Sequence, residues 1–290
     1  MEIFTRTFRV RWSETNAIGQ VDLAGYLRYV IETAWDWGAT SGLGIAESDA
    51  MGFSWVIRET EINFYRPLRA DQIFEFSIWL MNWRRVRGTR CFELRIKDDG
   101  ELIADGTQQI VVLDSNSLRP TAPPKHIIDK FYIENPHIVP HQPFPKFAAH
   151  PEPHHSIKRD VKWRDLDSFE HVNNANYAAF AEDAIVGLFG DLGWSPSQFK
   201  SKNLTIVNRR FQIKYLTLAF WRDRLNVTIR LSKLNSSGGI WLIEIIREPG
   251  GESIAQCVIE WVLADSISGE EQQIPENLVQ ALKKKIHNKS

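Results

Sequence analysis

The sequence is poor in cysteine, in net charge and in long hydrophobic runs, and each shortage excludes a class of protein. Only Cys91 and Cys257 occur among 290 residues, both within strand-like runs, which excludes a disulfide scaffold and agrees with a reducing compartment. A formal net charge of −1 gives no overall basic field, so nucleic acid is not an expected partner. No run reaches the ~18 apolar residues of a membrane helix, and residues 1–11 lack the apolar centre of a secretion signal. We therefore expect a soluble, cytoplasmic protein that does not bind membranes.

What the sequence does contain is a long internal repeat. Residues 10–26 align without a gap on residues 161–177, so that residue 16 matches residue 167 at an offset of 151. Four further pairs match at this offset: Val56 with Val207, Arg58 with Arg209, Ile62 with Ile213, and Phe64 with Tyr215. Because solenoid and propeller repeats run at roughly 20 to 50 residues, a repeat this long is a whole domain. The pattern indicates a tandem duplication.

The length agrees with about two domains. We predict an N-terminal domain over residues 1–118, a linker over 119–155 and a C-terminal domain over 156–290. The linker is rich in proline and histidine and shows no regular periodicity. Its histidines are not accompanied by a cysteine or by a helical HxxxH pair, so we expect neither a metal site nor a cofactor. Besides His126, these histidines are His137, His141, His150, His154 and His155.

Both halves give the same predicted order of elements, which is one strand, one long helix and four strands. The predicted strands of the first half cover 2–12, 53–68, 72–83, 89–97 and 102–113, with the helix at 23–40. In the second half a strand ends at 163, the helix covers about 174–192, and strands follow at 204–218, 225–234, 240–247 and 253–263. Helical spacing of apolar residues also marks the tail, residues 275–290.

A short polar loop precedes each long helix, and only the second loop carries acid and base groups. Asp167 and His171 stand where the first loop has Asn16 and Gln20. A helix N-terminus presents unpaired N–H groups and a partial positive charge, so the second loop can offer a base, an acid and backbone donors to a reacting carbonyl. The alternative is structural: Asp165 or Asp167 caps the helix, and His171 binds a carbonyl.

Several strings resemble those of hotdog-fold acyl thioesterases, above all the acyl-carrier-protein thioesterases of plants and bacteria. The second half has Asp165-Leu166-Asp167, then His171-Val172-Asn173-Asn174 and Tyr177. The first half has, in family order, Glu32-Thr33-Ala34, Ser41-Gly42-Leu43-Gly44, Trp55-Val56-Ile57-Arg58 and the segment 84–90. The resemblance covers residues 4–265. It implies an α+β fold, a tandem double hotdog with two antiparallel sheets, each wrapped around a long central helix.

The resemblance also implies a site, which this chain keeps only in part. In the plant enzymes Asp, Asn and His lie at i, i+2 and i+4 of the second loop, with a Glu or Cys from the following strand. Asp167 and His171 match, but Phe169 stands in place of the Asn, and residues 214–219 contain neither Glu nor Cys. Simpler hotdog thioesterases work with one loop Asp and helix N-terminal amides.

From this resemblance we predict Asp167 as general base or nucleophile, with His171 and Asn173 as further catalytic residues. Amides near Val172 and Asn173 are expected to hold the oxyanion, and Val172 and Asn174 are predicted to contact the substrate. A degraded site that binds acyl chains without cleaving them is the alternative.

The first half is expected to hold the acyl chain. Trp35, Trp37, Phe53 and Trp55 are candidate pocket walls, with ordinary core packing as the alternative. Four basic residues form a cluster in a predicted turn between strands: Arg84, Arg85, Arg87 and Arg90. They are either a solvated hairpin or a contact for an acidic acyl carrier protein. Coenzyme A is anionic as well, so the cluster does not separate the two carriers.

These observations predict a thioester hydrolase of fatty acid metabolism that releases free fatty acid from acyl-acyl carrier protein. An acyl-CoA thioesterase and a non-catalytic acyl-binding double hotdog protein are the alternatives, and a homodimer is left open. A dehydratase of this fold usually has a His-Phe-Pro strand motif, which is absent here.

Overall fold

The computed structural model describes residues 3–147 and 153–287. The chain divides into two compact units, Met1–Glu14 with Gly25–Pro143, and Thr15–Ala24 with Phe144–Ser290. The loop Thr15–Ala24 therefore belongs to the second unit, although the sequence repeat groups it with the first half. Most of the predicted linker, up to Pro143, belongs to the first unit. His150 of that linker lies outside the described residues.

The first half contains five antiparallel strands and a long helix. Its elements are β1 (Phe4–Arg9), α1 (Leu23–Thr40), α2 (Ile45–Ala50), β2 (Phe53–Phe64), β3 (Ile73–Arg84), β4 (Arg87–Ile96), β5 (Leu102–Asp114) and α3 (Lys125–Ile128). The strands lie in the order β1-β3-β4-β5-β2. Along β1 and much of β3, less exposed side chains alternate with more exposed ones, so that one face of each strand lies toward the core. This is expected for a half-buried antiparallel strand.

The second half repeats this arrangement. Its elements are β6 (His155–Asp160), α4 (Asn174–Asp191), α5 (Pro196–Ser201), β7 (Leu204–Tyr215), β8 (Arg224–Leu234), β9 (Gly238–Glu248), β10 (Glu252–Asp265) and α6 (Glu276–His287). The strands lie in the order β6-β8-β9-β10-β7, which is the order of their counterparts in the first half. Within this unit α4 packs on β6, β8 and β10.

Hydrogen bonds also follow the repeat. The Tyr26 hydroxyl in α1 accepts from the Leu68 N–H at 2.8 Å, and the Tyr177 hydroxyl in α4 accepts from the Ala219 N–H at 3.2 Å. Tyr177 lies 151 residues after Tyr26, and Ala219 lies 151 residues after Leu68. Each tyrosine therefore fixes the start of a long helix to the loop that follows the next strand.

The largest differences from the predicted elements lie at short segments. β1 ends at Arg9 and β6 at Asp160 because Trp12–Glu14 and Trp163–Asp165 form single 3-10 turns. The three short helices α2, α3 and α5 were not predicted, since the glycines before α2 indicated only a stop and α3 lies in the segment predicted to be a linker. No helix of the described ranges is long and apolar enough to cross a membrane.

Candidate active site

The loop before α4 is closed by its own backbone and holds Asp167 in place. The Asp167 N–H donates to the His171 carbonyl at 3.0 Å, and the Glu170 N–H donates to the Asp167 carbonyl at 3.0 Å. The Asp167 carboxylate accepts from the Phe169 N–H at 3.0 Å, and Glu170 adopts a left-handed φ of 63°. An Asp side chain that bonds backbone two residues ahead is typical of an Asx turn. Local chemistry therefore orients this carboxylate.

The loop before α1 repeats these three hydrogen bonds with different chemistry and adds a fourth, from the Gln20 N–H to Asn16 Oδ1 at 3.2 Å. The Asn16 N–H donates to the Gln20 carbonyl at 2.8 Å, and the Gly19 N–H donates to the Asn16 carbonyl at 2.9 Å. Asn16 Oδ1 accepts from the Ile18 N–H at 3.1 Å, and Gly19 takes the left-handed φ of 75°. The backbones match, but an amide cannot act as a base. Only the second loop carries a titratable pair.

Two neighbouring polar side chains, those of Asp165 and Asn173, cap local helical segments. The Asp165 side chain accepts from the Lys162 N–H at 2.8 Å and lies 3.4 Å from Arg159, so it caps the 3-10 turn. Asn173 is the N-cap of α4, because its Oδ1 accepts from the Ala175 N–H at 3.0 Å. The predicted catalytic side chain of Asn173 therefore holds the helix start. Asp167 is not needed as the cap, which leaves its second oxygen for chemistry.

His171 lies between the loop carboxylate and a carbonyl. Its Nδ1 is 3.6 Å from Asp167 Oδ1 and 3.2 Å from the Val172 carbonyl oxygen. Since a carbonyl only accepts, we assign the hydrogen to Nδ1, and Nε2 is then the acceptor. The ring stacks on Phe169, with centroids 6.0 Å apart and planes at 16°. Phe169 stands where the resemblance implies an Asn. Its ring stacks on the imidazole, and its N–H donates to the Asp167 carboxylate.

The backbone donors differ from those predicted. The Val172 N–H donates to the Ala219 carbonyl at 2.8 Å, and the Asn173 N–H donates to the Asp165 carbonyl at 2.9 Å. Both amides expected to hold an oxyanion therefore have partners within the chain. The first helical residue, Asn174, has an N–H without a partner among the described residues, as is usual in a first helical turn. Asn174 is the available donor.

The Asp167 carboxylate and the His171 imidazole are both accessible to solvent. Asp167 is 22% exposed and His171 is 20% exposed. The neighbouring surface is aromatic, with Phe220 and Trp221 exposed and the Arg222 guanidinium 4.4 Å from the Trp221 ring centre. A β-bridge joins His171 to Phe220. The bridge makes the exposed Phe220 a direct backbone neighbour of His171.

Neither cysteine can serve this site as a nucleophile. Cys257 in β10 and Cys91 in β4 are both fully buried. Burial raises the pKa of Cys91 to about 11 and raises the pKa of Cys257 further. Because the thiolate is the reactive form, both thiols are inert near neutral pH.

An apolar cavity lies within the first unit, between α1 and the strands. Trp35, Trp37 and Trp55, three of the candidate walls, line this cavity, whereas Phe53 is not among its lining residues. Trp83 and Arg90, which were not predicted as cavity walls, line it as well.

The predicted basic cluster is divided between two places. Arg84, Arg85 and Arg87 are exposed at the turn between β3 and β4, where Arg85 takes a left-handed φ of 54°. Arg90 lies inside β4, is partly buried and lines the cavity. Its strand alternation with Phe92 and other core residues was the signal that would have placed it there.

Contacts between residues that are distant in sequence were not predicted either. Glu182 in α4 accepts from the Leu23 N–H at 2.9 Å. Burial is the main reason that its pKa rises from an ordinary 4.5 to about 8, and the nearby charge of Asp22 raises it further. This carboxyl group is therefore protonated over much of the neutral range.

The linker histidines have structural partners. His154 Nδ1 accepts from the Leu231 N–H at 3.0 Å, and His155 Nδ1 lies 3.3 Å from Asp191. Across residues 3–147 and 153–287, no three His, Cys, Asp or Glu side chains are grouped as metal ligands.

Comparisons with known proteins agree with this architecture. The long-chain acyl-CoA thioesterase FadM of Escherichia coli (strain K12) is 34% identical over 107 residues, which cover 36% of this chain and 79% of that protein. An acyl-ACP thioesterase from Bacteroides thetaiotaomicron superposes with a TM-score of 0.74 at 20% identity, covering 89% of this chain and 97% of that one. The 12:0-ACP thioesterase from Umbellularia californica gives 0.73 at 19% identity, with coverage of 89% and 96%.

The structural likeness confirms the predicted double hotdog at the level of the fold. The family model described as the thioesterase-like superfamily matches twice, at residues 10–131 and 161–282. Each match covers one copy of the internal repeat. The chain therefore belongs to the thioesterase-like superfamily and is a thioesterase of the double hotdog fold.

Proposed function

We propose that this thioesterase releases a free fatty acid from acyl-acyl carrier protein and that Asp167 is its general base. One observation carries the proposal: two loops that share three hydrogen bonds precede the two long helices, and where the first has Asn16 and Gln20 the second has a carboxylate and an imidazole. Asp167 Oδ1 and His171 Nδ1 are 3.6 Å apart. Acid and base groups kept in one copy alone favour a single catalytic centre in the second half, residues 156–290.

Thioester hydrolysis at this centre needs a base, an oxyanion donor and a proton for the leaving sulfur. Asp167 removes a proton from a water molecule while the water oxygen attacks the thioester carbon. The carbonyl oxygen gains the negative charge as the tetrahedral intermediate forms. When the C–S bond breaks, the proton on Asp167 passes to the sulfur, and the products are a carboxylic acid and a free thiol. A direct attack by Asp167, with a mixed anhydride that water then cleaves, is the nucleophilic version.

Asn174 and His171 are proposed to assist this reaction in two different roles. The Asn174 N–H at the start of α4 supports the oxyanion together with the partial positive charge of the helix end. An oxyanion donor is typically worth about 3–4 kcal/mol. His171 orients the attacking water through Nε2, while its Nδ1 binds the Val172 carbonyl.

The first half holds the acyl chain, and each group of strands encloses its long helix. Support comes from the tryptophan-lined cavity of the first unit, because acyl chains bind in apolar pockets with few polar groups. The proposed acyl-binding half is residues 1–118 together with Ile128 and Phe131 of the connecting segment 119–155, because both line the cavity. Phe53 does not line it.

Arg84, Arg85 and Arg87 are the proposed contact for an acidic carrier protein in the cytoplasm. All three are exposed on one turn, and complementary charge would speed the encounter. The second candidate substrate is acyl-CoA, which the 34% identity to a long-chain acyl-CoA thioesterase favours. A protein that binds acyl chains without cleaving them is the remaining alternative.

A thiol-release assay tests the proposal. The full chain is given acyl carrier protein and coenzyme A thioesters with the same acyl groups, from eight to eighteen carbons. We expect catalytic release of thiol, with the higher kcat/KM on the carrier protein. A higher value on coenzyme A selects the second candidate, and stoichiometric acyl binding without thiol release contradicts hydrolysis.

A further inference from the structure

The cavity of the first unit contains a charge that the fold does not neutralise. Arg90 is the one charged residue among the fourteen that line this cavity. The others are apolar or glycine, and four of them are tryptophans. Exposed arginines are ordinary, but a guanidinium inside an aromatic cavity is costly unless it has a partner.

The partner that Arg90 has is neutral. Its Nε donates to Gln108 Oε1 at 2.8 Å, and its Nη2 donates to the same oxygen. Gln108 Nε2 donates in turn to Thr60 Oγ1 at 2.8 Å. Gln108 and Thr60 are 1% and 0% exposed, so this chain of hydrogen bonds is fixed.

No carboxylate of residues 3–147 or 153–287 forms an ion pair with Arg90. Burial lowers the pKa of Arg90, and no nearby acid counteracts this effect. A guanidinium nevertheless keeps its proton at neutral pH, because its ordinary pKa lies above 12. The cavity therefore holds an unneutralised positive charge.

The second half shows that the fold does not need polarity at these positions. At the offset of 151, Arg90, Gln108 and Thr60 correspond to Trp241, Ile259 and Phe211. The pairing is conserved, because Arg90 lies opposite Gln108 and Trp241 lies opposite Ile259. The three counterparts are apolar and at most 1% exposed.

The second half also fills the space that the first leaves open. Trp241 stacks on Trp261, with centroids 5.8 Å apart and planes at 9°. Ile110, a wall of the cavity, occupies the position that matches Trp261. At these positions one copy of the repeat thus has two stacked tryptophans, where the other has a cavity lined by an arginine.

We propose that the first-unit cavity binds an amphiphile by its terminal carboxylate, which pairs with Arg90, while its apolar body contacts the tryptophans. The Nε and one Nη2 hydrogen are used by Gln108, so the Nη1–Nη2 edge remains for a bidentate carboxylate. Two sources supply this chemistry. One is a free fatty acid, and the other is an acyl thioester whose far end carries a carboxylate; the second source rests on the proposed function.

Ligands that differ only at the end group test the proposal without any variant. Dodecanoate, dodecanol and 1,12-dodecanedioate are titrated into the full chain at pH 8 by calorimetry. We expect dodecanoate or the dioate to bind about 10-fold or more tightly than dodecanol, the scale of one charge-assisted hydrogen bond. Equal affinity for the acids and the alcohol contradicts the proposal.

Arg90→Met then assigns the effect to the arginine, with Arg95→Met, at an exposed position of the same strand, as the matched control. We expect Arg90→Met to remove the preference for the carboxylate and to leave dodecanol binding unchanged, and Arg95→Met to change neither. Circular dichroism and Tm verify that both variants fold. A folded Arg90→Met protein that keeps the preference overturns the assignment.

Turnover separates the two sources. The kcat/KM of the ω-carboxydodecanoyl thioester of coenzyme A is compared with that of the dodecanoyl thioester. A preference for the ω-carboxyl chain that Arg90→Met abolishes identifies the acyl tail, whereas carboxylate binding without that preference identifies the free acid. Binding is also measured on Asp167→Asn, so that a failure of the catalytic proposal does not affect the result.

Discussion

Nδ1 of His171 lies 3.6 Å from Oδ1 of Asp167, and the matching positions of the first loop hold Gln20 and Asn16. The two loops share three hydrogen bonds at matching positions, and the first adds one from the Gln20 N–H to Asn16 Oδ1, so the difference between them is mainly chemical. The first loop therefore provides natural control residues for the second. Substituting the amides at the same positions changes the chemistry while keeping interactions that the fold already uses.

His171→Gln copies the first loop and removes the imidazole. We expect kcat on the preferred thioester to fall by about 10- to 100-fold, at the low end for a positioned acid or base group, with little change in KM. Steady-state kinetics on the full chain measure both constants. Glu170→Gln, an exposed charge change in the same loop, should leave kcat unchanged; an unaltered kcat in His171→Gln would remove His171 from the mechanism.

Cys91→Ala and Cys257→Ala test whether a thiol takes part in the reaction. Both thiols are buried and their pKa is raised, so neither forms the thiolate near pH 7. We expect unchanged kcat in each variant and no inhibition of the wild-type protein by iodoacetamide. Rapid loss of activity on alkylation is the outcome that would refute this.

The exposed arginine turn gives a prediction about the carrier. Arg84→Gln, Arg85→Gln and Arg87→Gln together should raise KM for acyl carrier protein substrates by about 10-fold, the scale of three exposed ion pairs of roughly 0.5 kcal/mol each. Concentrated salt should reduce the difference by screening. KM for acyl-CoA with the same chain should change less.

The control for this variant removes charge elsewhere. Lys283→Gln with Lys284→Gln changes two exposed cations of α6 and should leave KM for both carriers unchanged. Equal increases in KM for both carriers after the arginine substitutions would indicate a general effect on the site and not a carrier contact.

Glu182 gives a prediction about stability and pH. Because its pKa in the folded protein is about 8 and its ordinary value is 4.5, the folded state holds the proton more tightly than the unfolded chain. The free energy of unfolding therefore falls as pH rises from about 4.5 to about 8. Glu182→Gln keeps an oxygen for the Leu23 N–H and removes the ionisation.

Thermal unfolding at pH 5 and pH 9 measures this effect. We expect Tm of Glu182→Gln to exceed the wild-type value at pH 9 by at least about 2 °C and to equal it within error at pH 5. Glu170→Gln, which removes an exposed acid from the loop before α4, is the control. A difference between Glu182→Gln and wild type that is the same at both pH values would contradict the raised pKa.

Much of the fold could be predicted from the repeat and from periodicity. The helix over 23–40 begins and ends as predicted, because apolar residues at helical spacing face one core and glycines follow. Short helices were missed, since six residues such as Ile45–Ala50 contain too little periodicity to distinguish them from a loop. Their position is set by tertiary packing, as in the hydrogen bond from Trp55 to Ser48 in α2.

The site was predictable where its chemistry is local and not where it depends on partners distant in sequence. Asp167 and His171 are four residues apart in one loop, so the sequence alone brings them together. The partners of Val172 and Glu182 could not be read, because Ala219 and Leu23 approach them through the fold. Arg90 was read as part of a turn although its alternation with core residues of β4 indicated an inward side chain.

The central claim is that Asp167 removes the proton from the attacking water, and Asp167→Asn tests it most directly. An Asn at this position keeps the acceptor for the Phe169 N–H, as Asn16 does for Ile18, so circular dichroism and Tm should match the wild-type protein. In the thiol-release assay we expect a fall in kcat of at least ~100-fold, with Glu170→Gln at the wild-type rate. A folded Asp167→Asn protein that hydrolyses thioesters at the wild-type rate would contradict the account.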